Sequence, residues 1–120
     1  MHCVAKRSAR ERRLDLWHAE VCKVLSNQVR IGILGSLREG EVSVGNLAKV
    51  LGLSVATVSR HLGQMRVRGI VQARREGLTV FYRISNPKVI RAFDLMREVM
   101  VEHLETVKRG NLSPRDGAEE

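Results

Sequence analysis

The chain has 120 residues, which suits one domain, and carries a formal net charge of +8. Apolar residues make up 43% of it but aromatics only 3%, so a core must come from Leu, Val, Ile, Ala and Met. The charge points to a polyanionic partner, either nucleic acid or an acidic membrane surface. No run is apolar enough to span a bilayer, no apolar segment follows the basic N-terminus, and Cys3 and Cys22 make no disulfide framework, so a cytoplasmic location is expected.

Residues 1–13 hold Lys6, Arg7, Arg10, Arg12 and Arg13 against Glu11. Residues 1–10 are expected to form a basic arm, either a solubilising tail or a segment that touches DNA. A helix is predicted from about Glu11 to Leu25, with Leu14, Trp17, Val21 and Val24 or Leu25 on one face. Ser26 and Asn27 break it. A second helix over about Gln28–Leu37 carries Val29, Ile31, Ile33, Leu34 and Leu37 and should be the most buried, and Arg38-Glu39-Gly40-Glu41 ends it.

Ser43 then caps a short helix with a stripe of Val44, Leu47, Ala48 and Leu51, and Gly52-Leu53-Ser54 makes a tight turn. Ser54 caps the next helix and Gly69 can end it, because glycine adopts positive φ cheaply. Val58, Leu62 and Met65 recur at i, i+4, i+7 and form its apolar stripe. The opposite face carries Ala56, Arg60, Gly63 and Gln64, flanked by Thr57 and Ser59. Two helices joined by a glycine-containing turn, the second basic and slim near its start, make a helix-turn-helix whose second helix can enter a DNA major groove. The candidate DNA contacts are Ser54, Ala56, Thr57, Ser59, Arg60, Gln64 and Arg68, with His61 turned partly toward the core and expected near a phosphate.

After Gly69 the period becomes two. Residues 70–75 and 78–84 read as a β-hairpin with Glu76-Gly77 at its tip. Arg74, Arg75, Thr79 and Arg83 surround or follow the tip, so the hairpin reads either as a wing placed to reach phosphates or the minor groove, or as a plain ribbon with solvated arginines. Asn86-Pro87 opens the last helix. There Val89, Phe93, Met96, Met100, His103 and Val107 follow at alternating spacings of four and three, a heptad seam widened by Ala92, Leu95, Val99 and Leu104. Such a seam calls for a second copy of the helix, giving a homodimer to which Leu14 and Trp17 of the first helix contribute. Residues 110–120 read as a flexible tail, leaving 11–109 as the folded domain. The fold class expected is mainly α with a β-hairpin: three helices, a recognition helix, the hairpin, and a dimerising helix.

The stretches Val24-Leu25-Ser26-Asn27-Gln28-Val29-Arg30-Ile31, Leu47 to Ser54, Thr57-Val58-Ser59-Arg60-His61-Leu62 and Arg74-Arg75-Glu76-Gly77 together resemble the ArsR/SmtB family of winged-helix repressors. The resemblance covers about residues 14–107. It implies a homodimer that binds an operator palindrome and releases it when an inducer binds. Val55 and Ala56 stand where the family is usually polar.

The inducer sites the resemblance implies are missing from this sequence. The third helix has no cysteine pair. The positions of the last-helix zinc pattern hold Asn86, Lys88, Val99 and Glu102, and the persulfide-type pair has no cysteine in the last helix. What remains is His18 and Cys22, one turn apart on the first helix, with His103 on the last, as candidates for a metal ion or a thiol-reactive inducer; His2 and Cys3 lie on the arm. An effector-independent DNA-binding or architectural protein of the same fold is the alternative. No glycine-rich phosphate loop, paired carboxylates or orienting acid beside a nucleophile indicates an enzyme.

Overall fold

The helix boundaries follow from side chains that satisfy the first free backbone N–H groups of each helix. The computed structural model describes residues 6–109, and its elements run α1 (Ala9–Leu25), α2 (Gln28–Ser36), β1 (Val42–Ser43), α3 (Val44–Leu51), α4 (Val55–Val67), β2 (Val71–Glu76), β3 (Thr79–Ile84) and α5 (Lys88–Arg109). Ser8 and Glu11 form a reciprocal capping box, with Glu11 N donating to Ser8 Oγ at 3.1 Å and Ser8 N to the Glu11 carboxylate at 2.9 Å. This starts α1 at Ala9, two residues earlier than the sequence suggested, so part of the expected arm is helical. His2, Cys3 and the expected tail lie outside the described residues. Asn27 does more than break α1: its Oδ1 accepts from Val29 and Arg30 N–H at 2.9 and 3.2 Å and so caps α2.

The chain divides into two compact units at Ser85–Asn86. In the first, Ile33, Leu34, Leu37, Leu47, Val58, Leu62, Met65 and Val71 form an almost wholly excluded aliphatic core, with Ile70 and Tyr82 at its margin. α4 packs against α3, β2, α2 and α1, which places it at the centre of this unit. Gly32 allows a close approach of α2 to α3, since a Cβ there would lie 3.1 Å from Leu51 Cδ2.

The hairpin is part of a three-stranded antiparallel sheet of order β1-β3-β2. The sequence reading missed β1, in which Val42 pairs with Tyr82 and Ser43 with Phe81. It also set the tip one residue early. Glu76 pairs with Thr79, so the two-residue turn is Gly77-Leu78, with Gly77 at φ 63°. Leu78 is 99% exposed at the tip.

The second unit is the α5 helix. Asn86 Oδ1 accepts from Lys88 N–H at 2.9 Å at its start. Leu95, Met96, Val99, Met100, Val101 and Leu104 are all exposed along it, and the Arg97 guanidinium lies 4.8 Å above the Phe93 ring. None of the described helices is long and apolar enough to cross a membrane.

Candidate nucleic-acid interface

The α3–α4 pair is fixed at both ends by local chemistry. Ser43 Oγ accepts from Asn46 N–H and caps α3. α3 ends on Gly52 at φ 69°, where Gly52 N–H donates to Lys49 O and Leu53 N–H to Ala48 O, the paired bonds of a left-handed glycine terminus. Ser54 follows at once. Its Oγ accepts from Thr57 N–H at 3.1 Å and donates to Thr57 Oγ1 at 2.9 Å. α4 ends the same way as α3: Gly69 N–H donates to Arg66 O and Ile70 N–H to Met65 O. The turn is therefore short and rigid, and it fixes the angle at which α4 leaves.

Val58, Leu62 and Met65 turn wholly into the core, as the periodicity required. The other face of α4 leaves Ala56, Ser59, Arg60 and Gln64 exposed, with Thr57 half-buried because it is held by Ser54. Arg60, Ser59, Gly63, Gln64, Val67 and Arg68 line an open cleft of about 400 Å³ together with Val24 from the end of α1. Arg68 also lies 3.7 Å from Glu20 of α1.

His61 does not face outward with this group. It is buried, and its Nδ1 accepts from Arg30 Nε at 3.0 Å. The contact assigns the ring proton to Nε2. The expectation that His61 lies near a phosphate gives way to a different role, as a neutral acceptor that anchors Arg30. The same guanidinium donates through Nη1 to Val24 O at 2.9 Å and through Nη2 to Gln64 Oε1 at 2.6 Å. Sequence reasoning assigned Arg30 no role, because its two side-chain partners, His61 and Gln64, lie 31 and 34 residues away on another helix.

Burial, reinforced by the charges of Arg30 and Arg60, holds the His61 pKa below the ordinary imidazole range. The folded state therefore binds fewer protons at this ring than the unfolded chain. Stability drawn from the neutral ring is present above the unfolded-state pKa of about 6.5 and is lost as pH falls through the lower folded value. In thermal melts, the wild type's advantage over His61→Gln is expected to shrink between about pH 8 and about pH 5. A gap that stays constant or widens on acidification would contradict the assignment.

The hairpin arginines divide by partner. Arg74 is held on three sides: it donates to both Glu41 carboxylate oxygens at 2.9 and 2.8 Å, approaches Glu76 at 3.2 Å, and lies 4.8 Å over the Phe81 ring. The Arg74 hydrogen bond is the main cause that holds the Glu41 carboxyl below its usual range, and Arg74 in turn stays firmly protonated. Arg83 donates to Gln72 across the ladder. Arg75 is exposed, with no ion-pair partner among the described residues, and Thr79 is exposed beside the tip.

Elsewhere, His18 and Cys22 are exposed on α1, and His103 is exposed on α5. The described residues contain no group of three or more His, Cys, Asp or Glu able to hold a metal ion. Leu14 and Trp17 are exposed on α1, Trp17 at 58%, and Met96 and Met100 on α5; Val89 and Phe93 are partly buried.

Comparison with known proteins finds several similar to this chain. The family described as "Bacterial regulatory protein, arsR family" matches residues 27–73. The HTH-type transcriptional regulator Rv0324 of Mycobacterium tuberculosis is 40% identical over 89 residues, 74% of this chain and 39% of that protein. The HTH-type transcriptional regulator KmtR of the same organism is 40% identical over 70 residues, 58% of this chain and 54% of that protein. The chain thus spans about half or less of the length of these two relatives. Among solved structures, the homodimeric winged helix-turn-helix DNA-binding domain of Mb0332 from Mycobacterium bovis, a possible ArsR-family transcriptional regulator, superposes with a TM-score of 0.76 at 39% identity, covering 86% of this chain and 95% of that one.

Proposed function

This chain belongs to the ArsR family of bacterial regulatory proteins, and from that premise we propose that it is a dimeric, sequence-specific DNA-binding transcriptional regulator that acts in the cytoplasm. Its activity is binding, not catalysis. The observation that carries the reading is the division of α4 into a fully buried stripe, Val58, Leu62 and Met65, and an opposite face where Ser59, Arg60 and Gln64 stand exposed. Arg and Gln side chains reach base edges in the major groove, and small residues near the helix start let the backbone approach. Thr57, Ser59 and the exposed hairpin cation Arg75 suit phosphate contact. The exposed apolar side chains of α5 suit a second copy of that helix, Leu14 and Trp17 are exposed on α1, and a two-fold dimer reads a palindrome. The regulator represses its operator until a small inducer releases it. The exposed Cys22, with His18 one turn away, is where a metal ion or thiol-reactive inducer would act.

The test is operator binding across a salt series. The protein should enrich one palindromic sequence from a random duplex library. Log affinity should fall linearly with log salt, by roughly 0.9 per phosphate neutralised. Arg75→Ala should weaken specific and random DNA alike and flatten that slope by about one phosphate's worth. Failure to enrich any sequence would overturn the reading, and an unchanged slope would remove Arg75 from the interface.

A further inference from the structure

Arg30 joins three helices through one guanidinium: Nη1 to Val24 O at the end of α1, Nε to His61 Nδ1 within α4, and Nη2 to Gln64 Oε1 one turn further along α4. Two of the three acceptors are fixed, a backbone carbonyl and a buried ring, so the fork has little freedom to turn. Gln64 is the exposed member. Its 2.6 Å bond commits the amide oxygen to the protein. The oxygen keeps a second lone pair but is held against Arg30, so the group best placed for an outside partner is the amide NH2, which only donates.

A free glutamine pairs with adenine in the major groove by two bonds, its oxygen accepting from N6–H and its nitrogen donating to N7. Guanine presents two acceptors on that edge, N7 and O6. A glutamine whose oxygen is already engaged suits guanine and loses one of its two bonds to adenine. We propose that Arg30 is a positioning residue for base recognition, which turns Gln64 into a donor-only reader and sets a preference for guanine over adenine at the base pair Gln64 faces. The inference rests on the DNA-binding reading above. Arg30 itself touches no base.

The experiment is binding-site selection from a random duplex library with four proteins: the wild type, Gln64→Ala, Arg30→Met and Arg30→Lys. Each selected sequence is then titrated against its single-base variants. Gln64→Ala should relax one position, and the wild type should hold guanine there. Arg30→Met frees the glutamine oxygen, so that position should shift toward adenine by about tenfold or more. Arg30→Lys keeps the charge but cannot span the three acceptors, and should give the same shift with an unchanged salt slope. A merely structural role for Arg30 would weaken all sequences together and move no base preference. Should Arg30→Met not fold, the lysine variant carries the same comparison. Arg30 variants that keep the wild-type preference at the Gln64 position, or a wild type that prefers adenine there, overturn the inference alone. A wild type that enriches no sequence overturns the DNA-binding reading as well.

Discussion

Leu62→Ala is expected to destabilise the first unit by about 2–5 kcal/mol, the range for truncating a fully enclosed leucine. Leu62 is wholly excluded from solvent in the middle of α4, the helix packed against α1, α2, α3 and β2. Removing the isopropyl end of its side chain takes away contacts on several sides, and the surrounding elements can close only part of the space. At about 4–8 °C per kcal/mol for a domain of this size, the melting temperature should fall by more than 8 °C. Val67 on the same helix is the control. It is 76% exposed, so Val67→Ala should stay within about 0.5 kcal/mol of the wild type. Calorimetry or circular dichroism melts decide it, and equal losses for the two variants would contradict the core assignment.

Arg60→Ala should cost about 1–3 kcal/mol of specific DNA binding, roughly a 5- to 150-fold loss, and relax the preference at one base pair. Arg60 is exposed on the face opposite the buried stripe and leaves the helix backbone one turn before Gln64. An arginine fork gives two bonds to the guanine edge, and no other side chain at that position would replace both. Affinity for random DNA should change far less, because the helix still docks through its phosphate contacts. A variant that keeps the wild-type ratio of specific to random affinity would show that Arg60 reads no base. The salt slope separates it from Arg75, which is expected to act on affinity for every sequence.

The parts of this fold that were legible in the sequence are those decided within four residues. Ser43, Ser54 and Asn86 each satisfy backbone donors two or three positions ahead, and Gly52 and Gly69 each close the helix that precedes them, whereas Asn27 reads in the sequence only as a break and its capping of α2 was missed. The stripe of Val58, Leu62 and Met65 was equally plain, because burial of one helix face leaves a fixed period. What stayed hidden depends on distant partners. β1 is two residues long, and it is a strand only because β3, about forty positions later, lies beside it. The tip of the hairpin was misplaced by one residue because Glu76 could open the turn or close the strand, and only the pairing with Thr79 decides between them. His61 reads in the sequence as turned partly toward the core and near a phosphate. Its burial and its bond to Arg30 become visible only when α2 is laid against α4.

The Glu41–Arg74 pair has a mechanical meaning. Glu41 stands just before β1, and Arg74 sits within β2, the outer strand of the hairpin. A two-point contact between flat groups resists twisting as well as separation. The Phe81 ring beneath the guanidinium blocks its remaining direction of travel. The hairpin is thus clamped in its outer half, where Arg74 pairs with Phe81, two pairs below the Gly77-Leu78 turn. The outer strand is therefore tied to the segment that joins α2 to α3 twice over, by this ion pair and by the β1–β3 ladder, so the free edge of the sheet cannot peel away without breaking both.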